Sequence, residues 1–243
     1  MMQVSKPLLM CFDFDNTIIN ENSDIIIKNL YPHDVPDNVK KLCNSGWTAY
    51  MRSIFQLIHS IGVQKDTIIN SIHGIPAVSG FEDLIKNLHA NNCDIIIISD
   101  ANSVFIETWL EKKQLKNCID KIYTNPAWFD ENNLLHIKEY HQQDWCKFSE
   151  KNLCKGYVLE SYIKEKADAG VKYNMVAYVG DGRNDYCPML KLSPNDIAFP
   201  RQDNYIMKMI NDYKNSNESI KAKIIPWKDG NDIWQALRGN LNI

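Results

Sequence analysis

Short unbroken apolar runs alternate along this chain with longer stretches whose apolar positions recur at helical spacing. Leu8-Leu9-Met10-Cys11-Phe12, Ile95-Ile96-Ile97-Ile98 and Met175-Val176-Ala177-Tyr178-Val179 are continuous rather than alternating. Runs of this kind mark strands covered on both faces. Helical patterns follow them at 102–113, 185–192 and 203–211. Strands alternating with helices predict an α/β fold, a Rossmann-like parallel sheet with helices on both faces. Between the first two runs the pattern is helical only. Trp47, Tyr50, Met51, Ile54, Phe55, Ile58 and Ile61 fall on one face, with shorter companions at 36–43 and 66–72. The expected organisation is a core of residues 1–21 and 77–243 with a small helical cap, 22–76, inserted after the first strand. A turn at Glu131-Asn132-Asn133 predicts a hairpin in an otherwise irregular region, 125–152.

Each of the three apolar runs ends in carboxylates or hydroxyls, and parallel sheets bind ligands beyond the carboxyl ends of their strands. Asp13-Phe14-Asp15-Asn16-Thr17 closes the first run. Two carboxylates at i and i+2 share a side of an extended chain. One can attack an electrophile while the other moves a proton; a surface turn with Asp15 or Thr17 as helix cap is the plainer alternative. Gly180-Asp181-Gly182-Arg183-Asn184-Asp185 closes another run. Its glycines permit a tight turn, and its carboxylates suit a hard cation such as Mg²⁺. It is not a dinucleotide fingerprint, because G-x-G-x-x-G breaks at Asp185. Ser99 could donate to an anion or cap the next helix. Lys155 sits near a helix start, where the dipole disfavours a cation, which suggests a purpose such as neutralising phosphate.

Composition narrows the classes. The chain has 243 residues, 44% of them apolar, and a formal net charge of -3. No basic stripe supports nucleic-acid binding, and no apolar run approaches a membrane span. Seven cysteines without regular spacing fit reduced thiols better than a disulfide framework. Residues 1–6 are too short and polar for a signal peptide's apolar region. The expectation is a soluble, cytoplasmic protein that meets neither nucleic acid nor membrane. Nothing in these patterns sets an oligomeric state.

Taken together, Asp13/Asp15, Ser99, Lys155 and Asp181/Asp185 resemble the four motifs of the haloacid dehalogenase-like hydrolases. The dehalogenases lack the second aspartate of the first motif, so Asp15 points to phosphate chemistry. Phe12-Asp13-Phe14-Asp15-Asn16-Thr17, Glu21-Asn22-Ser23-Asp24, Ile98-Ser99-Asp100-Ala101-Asn102, Asn152-Leu153-Cys154-Lys155 and Ala198-Phe199-Pro200-Arg201 are similar to the phosphoethanolamine/phosphocholine phosphatase family. Asn102-Ser103-Val104-Phe105-Ile106 looks more like its pyridoxal phosphate phosphatase branch. The resemblance implies a magnesium-dependent phosphatase acting on small phosphomonoesters through an aspartyl phosphate. Asp13 would be nucleophile and Asp15 acid and base. Mg²⁺ would sit on Asp13, the Asp15 carbonyl and Asp181, with Asp185 behind it, and Ser99 and Lys155 would hold phosphate. Asp24 and Asp100 would recognise an ammonium leaving group, unless each merely caps a helix.

A phosphotransferase or mutase sharing the aspartyl phosphate, or a silent phosphate-binding protein, are the rival classes. Two departures from the family stand out. Arg183 adds a cation beside the metal turn, favouring anionic or aromatic leaving groups. Around residues 146–154 the family often carries an extra Cys and His, where this chain has Ser149 and Gln143. The sequence therefore gives no reason to expect a metal in that loop, and Cys146 and Cys154 read as buried or idle thiols.

Overall fold

The computed structural model describes residues 4–239. The chain begins with β1 (Val4–Lys6) and the fully buried β2 (Leu9–Phe12). Four helices follow, α1 (Ser23–Lys28), α2 (Asp37–Lys40), α3 (Trp47–Ser60) and α4 (Lys65–His73). Helix α5 (Phe81–Ala90) leads to β3 (Asp94–Asn102), and α6 (Ser103–Lys112) to β4 (Lys121–Asn125). The hairpin β5 (Ala127–Phe129) and β6 (Leu135–Ile137) comes next, then a long loop. Helix α7 (Lys155–Asp168), β7 (Val171–Tyr173), β8 (Val176–Gly180), α8 (Tyr186–Leu190) and β9 (Ile197–Pro200) follow. The last elements are α9 (Tyr205–Tyr213), β10 (Lys223–Ile224) and α10 (Gly230–Arg238).

The main sheet has the order β10-β9-β8-β2-β3-β4, every pair parallel. Strand β2 lies at its centre, with Phe12 in register with Ile97 of β3 and Val179 of β8. Asp13, Ser99 and Asp181 therefore emerge at one level. Alternate strand residues face opposite layers, as the pleat requires. Met10, Phe12, Ile95, Ile97 and Val179 pack with α5, α6 and α10, while Leu9, Cys11, Ile96, Ile98 and Tyr178 pack with α7, α8 and α9. This two-faced burial is why the runs read as continuous rather than alternating. The fold class is the expected one.

The segment 22–76 is helical, with one 3-10 turn at Lys41–Ser45. Its entry and exit strands are laced together, Asn20 N donating to Pro76 O at 2.9 Å and Val78 N to Ile18 O at 2.9 Å. Tyr50, Met51, Ile54, Phe55 and Ile58 of α3 are buried, as their spacing predicts. Ile61 differs: the helix ends at Ser60, and Ile61 is 44% exposed. The expected hairpin forms across residues 127–137. Strands β4, β9 and β10 do not stand out as apolar runs, because they are short or carry polar residues near the sheet edge.

Candidate active site

Backbone register brings the carboxylates together, and one buried cation organises them. Lys155 is fully buried; its Nζ lies 2.9 Å from Asp13 Oδ1 and 2.8 Å from Asp185 Oδ1. Burial alone would push the ammonium down, but Asp13, Asp185 and Asp100 hold it well above the usual lysine range. That attraction explains how a lysine is tolerated at the first residue of α7, against the helix dipole. Asp185 is an organiser. Its Oδ1 accepts from Lys155 and from Tyr178 Oη at 2.8 Å, and its Oδ2 from the amides of Asp181 (3.0 Å) and Gly182 (2.9 Å). Gly180 makes room for it, since a Cβ there would lie 2.3 Å from Asp185 Cγ.

Asp13 Oδ1 also accepts from the Phe14 amide at 2.7 Å. Burial pushes the Asp13 carboxyl up to about 7, against the pull of Lys155. Asp181 is pushed up to about 8 by burial, then by Asp185 and Asp13, with Asn204 Nδ2 3.0 Å from its Oδ2. Oxygens of Asp13, Asp181 and Asp185 all lie within 4.8 Å of one another. Three crowded carboxylates against one lysine leave surplus negative charge. An oxygen-only donor set of this kind fits a hard divalent cation. Asp185 is saturated by four donors, which leaves Asp13 and Asp181 as the less fully engaged carboxylates of the three.

Asp15 accepts from the Ser23 amide at 3.0 Å, and burial followed by repulsion from Asp24 keeps its carboxyl well above the ordinary range. Ser99 is buried, its Oγ accepting weakly from the Ala101 amide at 3.3 Å. Neither Asp24 nor Asp100 caps a helix. The caps are Asn22, whose Oδ1 accepts from the Ile25 amide, and Asn102, whose Oδ1 accepts from the Phe105 amide.

A cavity of about 450 Å³ joins these groups; Asp13, Asp15, Asp24, Trp47, Ser99, Asp100, Glu150 and Asp181 are among its walls, and no lysine, arginine or histidine among the described residues is. Asp24 Oδ2 accepts from Trp47 Nε1 at 2.6 Å, while its buried Oδ1 has no partner among the described residues. Burial pushes this carboxyl up to about 7. Asp100 is differently placed. It accepts from Asn152 Nδ2 at 2.8 Å and from Asn184 Nδ2, tying the long loop to the turn after β8. Arg183 corrects an expectation. It is exposed, and its guanidinium donates to Lys147 O at 2.9 Å, away from the cavity. Trp47, Asn152 and Asn184 carry no role signal in the sequence: Trp47 falls on an apolar helix face, and lone asparagines have no spacing pattern.

A parallel sheet that sets a D-x-D strand end, a serine, a buried lysine and a G-D-x-x-x-D turn at one level defines a haloacid dehalogenase-like phosphatase. The chain belongs to the family described as Putative Phosphatase, whose model matches residues 8–241. It is 36% identical over 235 residues to the pyridoxal phosphate phosphatase PHOSPHO2 of Mus musculus, covering 95% of this chain and 97% of that protein. It is 32% identical over 236 residues to the phosphoethanolamine/phosphocholine phosphatase of Homo sapiens, covering 95% and 88%. Its fold is that of phosphoserine phosphatase in apo form, with a TM-score of 0.62, 21% identity and coverage of 95% and 98%. No helix among the described residues is long and apolar enough to cross a membrane.

Proposed function

We propose that the chain is a magnesium-dependent phosphatase that hydrolyses small phosphomonoesters through an aspartyl phosphate on Asp13. The preferred substrates carry a cationic nitrogen on the leaving group: phosphoethanolamine, phosphocholine or pyridoxal 5′-phosphate. The observation that carries the leaving-group class is the unpartnered, buried Oδ1 of Asp24 in a cavity with no basic wall. An ammonium would satisfy that oxygen and offset the surrounding charge, whereas an anionic leaving group would be repelled. Both curated relatives named above act, by their names, on phosphates of such molecules.

Lys155 and the Phe14 amide both engage Asp13 Oδ1, so Oδ2 is the oxygen left to attack phosphorus. As the Asp13–phosphorus bond forms, the bond to the leaving oxygen breaks, and Asp15 gives that oxygen a proton. Asp15 then takes a proton from water, which attacks phosphorus and returns the Asp13 carboxylate with inorganic phosphate. Ser99 binds the transferring oxygens, while Lys155, fully buried behind Asp13 and outside the cavity wall, offsets their charge from there. Mg²⁺, held by the Asp13 and Asp181 carboxylates and the Asp15 carbonyl, would neutralise charge on the phosphoryl group.

The test is release of inorganic phosphate in water, with no acceptor alcohol, from the three substrates. Turnover should stop in EDTA, return with Mg²⁺, and be lost in Asp13→Asn. Activity in chelator would overturn the metal, ready turnover by Asp13→Asn would overturn the nucleophile, and transfer that requires an alcohol would make the chain a phosphotransferase.

A further inference from the structure

Three cysteines far apart in sequence converge behind the active site. Cys146 lies in the long loop, Cys154 directly precedes α7, and Cys187 is in α8. Cys146 Sγ is 3.3 Å from Cys187 Sγ, Cys154 Sγ is 3.8 Å from it, and all three sulfurs lie within 4.8 Å of one another. All seven cysteines of the chain are free thiols. At a Zn–S distance of about 2.3 Å, a tetrahedron sets its sulfurs about 3.8 Å apart. The observed separations fall at and around that value.

Two further features belong to this cluster. Gly156 stands in the first turn of α7. A Cβ there would lie 2.5 Å from Cys187 Sγ, so the missing side chain is what admits the thiol. The hydroxyl of Ser149 is buried, without a hydrogen-bond partner among the described residues, and lies beside the thiols of Cys154 and Cys187. It is the polar atom available at the fourth corner. His141 is not, because its Nε2 already accepts from the Cys154 amide at 2.8 Å. A surface cavity bordered by Cys146, Lys147 and Lys191 opens onto the sulfurs and gives an entry path.

We propose that Cys146, Cys154 and Cys187 bind one thiophilic divalent cation as thiolates, Zn²⁺ being the ion whose geometry matches, with Ser149 Oγ or water as fourth ligand. Binding releases the three thiol protons to solvent. The site is separate from the carboxylate centre but tied to it. Cys154 is bonded to Lys155, Cys187 follows Asp185 by two residues, and Cys146 anchors the loop that carries Glu150 and Asn152 to the cavity. The metal clamps these three segments in one arrangement.

The experiment titrates Co²⁺ into reduced, metal-free protein with Mg²⁺ present throughout. Sulfur-to-cobalt charge transfer in the near ultraviolet reports thiolate ligation, which the oxygen-only active site cannot produce. One Co²⁺ per chain with that band, displaced by Zn²⁺, is expected. Cys146→Ala and Cys187→Ala should lose the band, and Cys118→Ala should keep it. Absence of the band in the wild-type protein overturns the proposal, as does its persistence in Cys146→Ala. A Cys146–Cys187 or Cys154–Cys187 disulfide in the native protein, seen as a mass two hydrogens lower, overturns it as well. The wild-type titration needs no variant, so a misfolded mutant leaves the test intact, and its outcome does not depend on the phosphatase substrate.

Discussion

Trp47 holds one oxygen of Asp24 and nothing among the described residues holds the other, whereas both oxygens of Asp100 are engaged by asparagine amides. The two carboxylates should therefore respond differently to the same change. In Asp24→Asn, kcat/KM should fall about 10- to 100-fold for phosphoethanolamine and phosphocholine, the loss of one charge-assisted contact, and little for p-nitrophenyl phosphate. In Asp100→Asn an amide would face the donors of Asn152 and Asn184, so all substrates should suffer alike. Equal loss in both variants would remove Asp24 from leaving-group recognition. Asp24 also carries a stability prediction. Its folded carboxyl is raised to about 7 from the ordinary 3.8 by burial, so the folded state keeps a proton that the unfolded chain releases. The proton linkage then weakens folding as pH rises through that window. Thermal melts should show Asp24→Asn no more stable than wild type below the ordinary carboxylate range and more stable above pH 7, by about 1–3 kcal/mol. A gain independent of pH would contradict this. Gly180→Ala should be severe, because its Cβ would displace Asp185 and, through it, Lys155. Phosphate-release assays should show about a 100-fold loss of kcat; near-normal turnover would mean Asp185 is not the organiser.

Helix α3 closes one side of the cavity through Trp47, and it reaches the hairpin where Arg52 Nε donates to Ile137 O at 3.2 Å. We infer that 22–76 acts as a cap whose closure excludes water from the carboxylates. Its narrow entry, two segments laced together at Asn20 and Val78, joins it covalently to the sheet. If closure follows phosphoryl binding, adding orthovanadate with Mg²⁺ should change tryptophan fluorescence, and the change should vanish in Trp47→Phe. An unchanged signal in the wild-type chain would argue for a fixed lid. The element-level pattern of α3 was legible because five of its apolar positions are buried. Its second role was not, since a tryptophan that donates to a carboxylate looks the same in sequence as one that fills a core.

The helical segment and the sheet do not have separate interiors. Ile27, Met51, Ile54, Phe55 and Ile72 belong to the same buried cluster as Phe105, Ile106, Trp109 and the strands. Closure must therefore be a small displacement over a shared core. Urea unfolding followed by tryptophan fluorescence and by far-ultraviolet circular dichroism should give coincident transitions. Excising 22–76 should yield insoluble chain, because the apolar face of α6 would be bare. Two separated transitions would show an independently stable cap.

Strand identity, fold class and the proposed catalytic set Asp13, Asp15, Ser99, Lys155, Asp181 and Asp185 are matters of local sequence. Buried strands must be apolar throughout, and strand-end chemistry has to follow them directly, so both stay visible in the linear order. What the sequence could not rank was anything settled by distance across the chain. Asp24 and Asp100 looked equivalent until Trp47 and two asparagines were brought to them, and Arg183 looked like a pocket cation until it turned to the Lys147 carbonyl. Cys146 and Cys154 read as idle until Cys187 arrived beside them, through a gap left by Gly156. Hydrogen bonds, ion pairs and metal ligation depend on separations of a few ångströms, and for residues thirty or eighty positions apart only the packed tertiary structure fixes those separations.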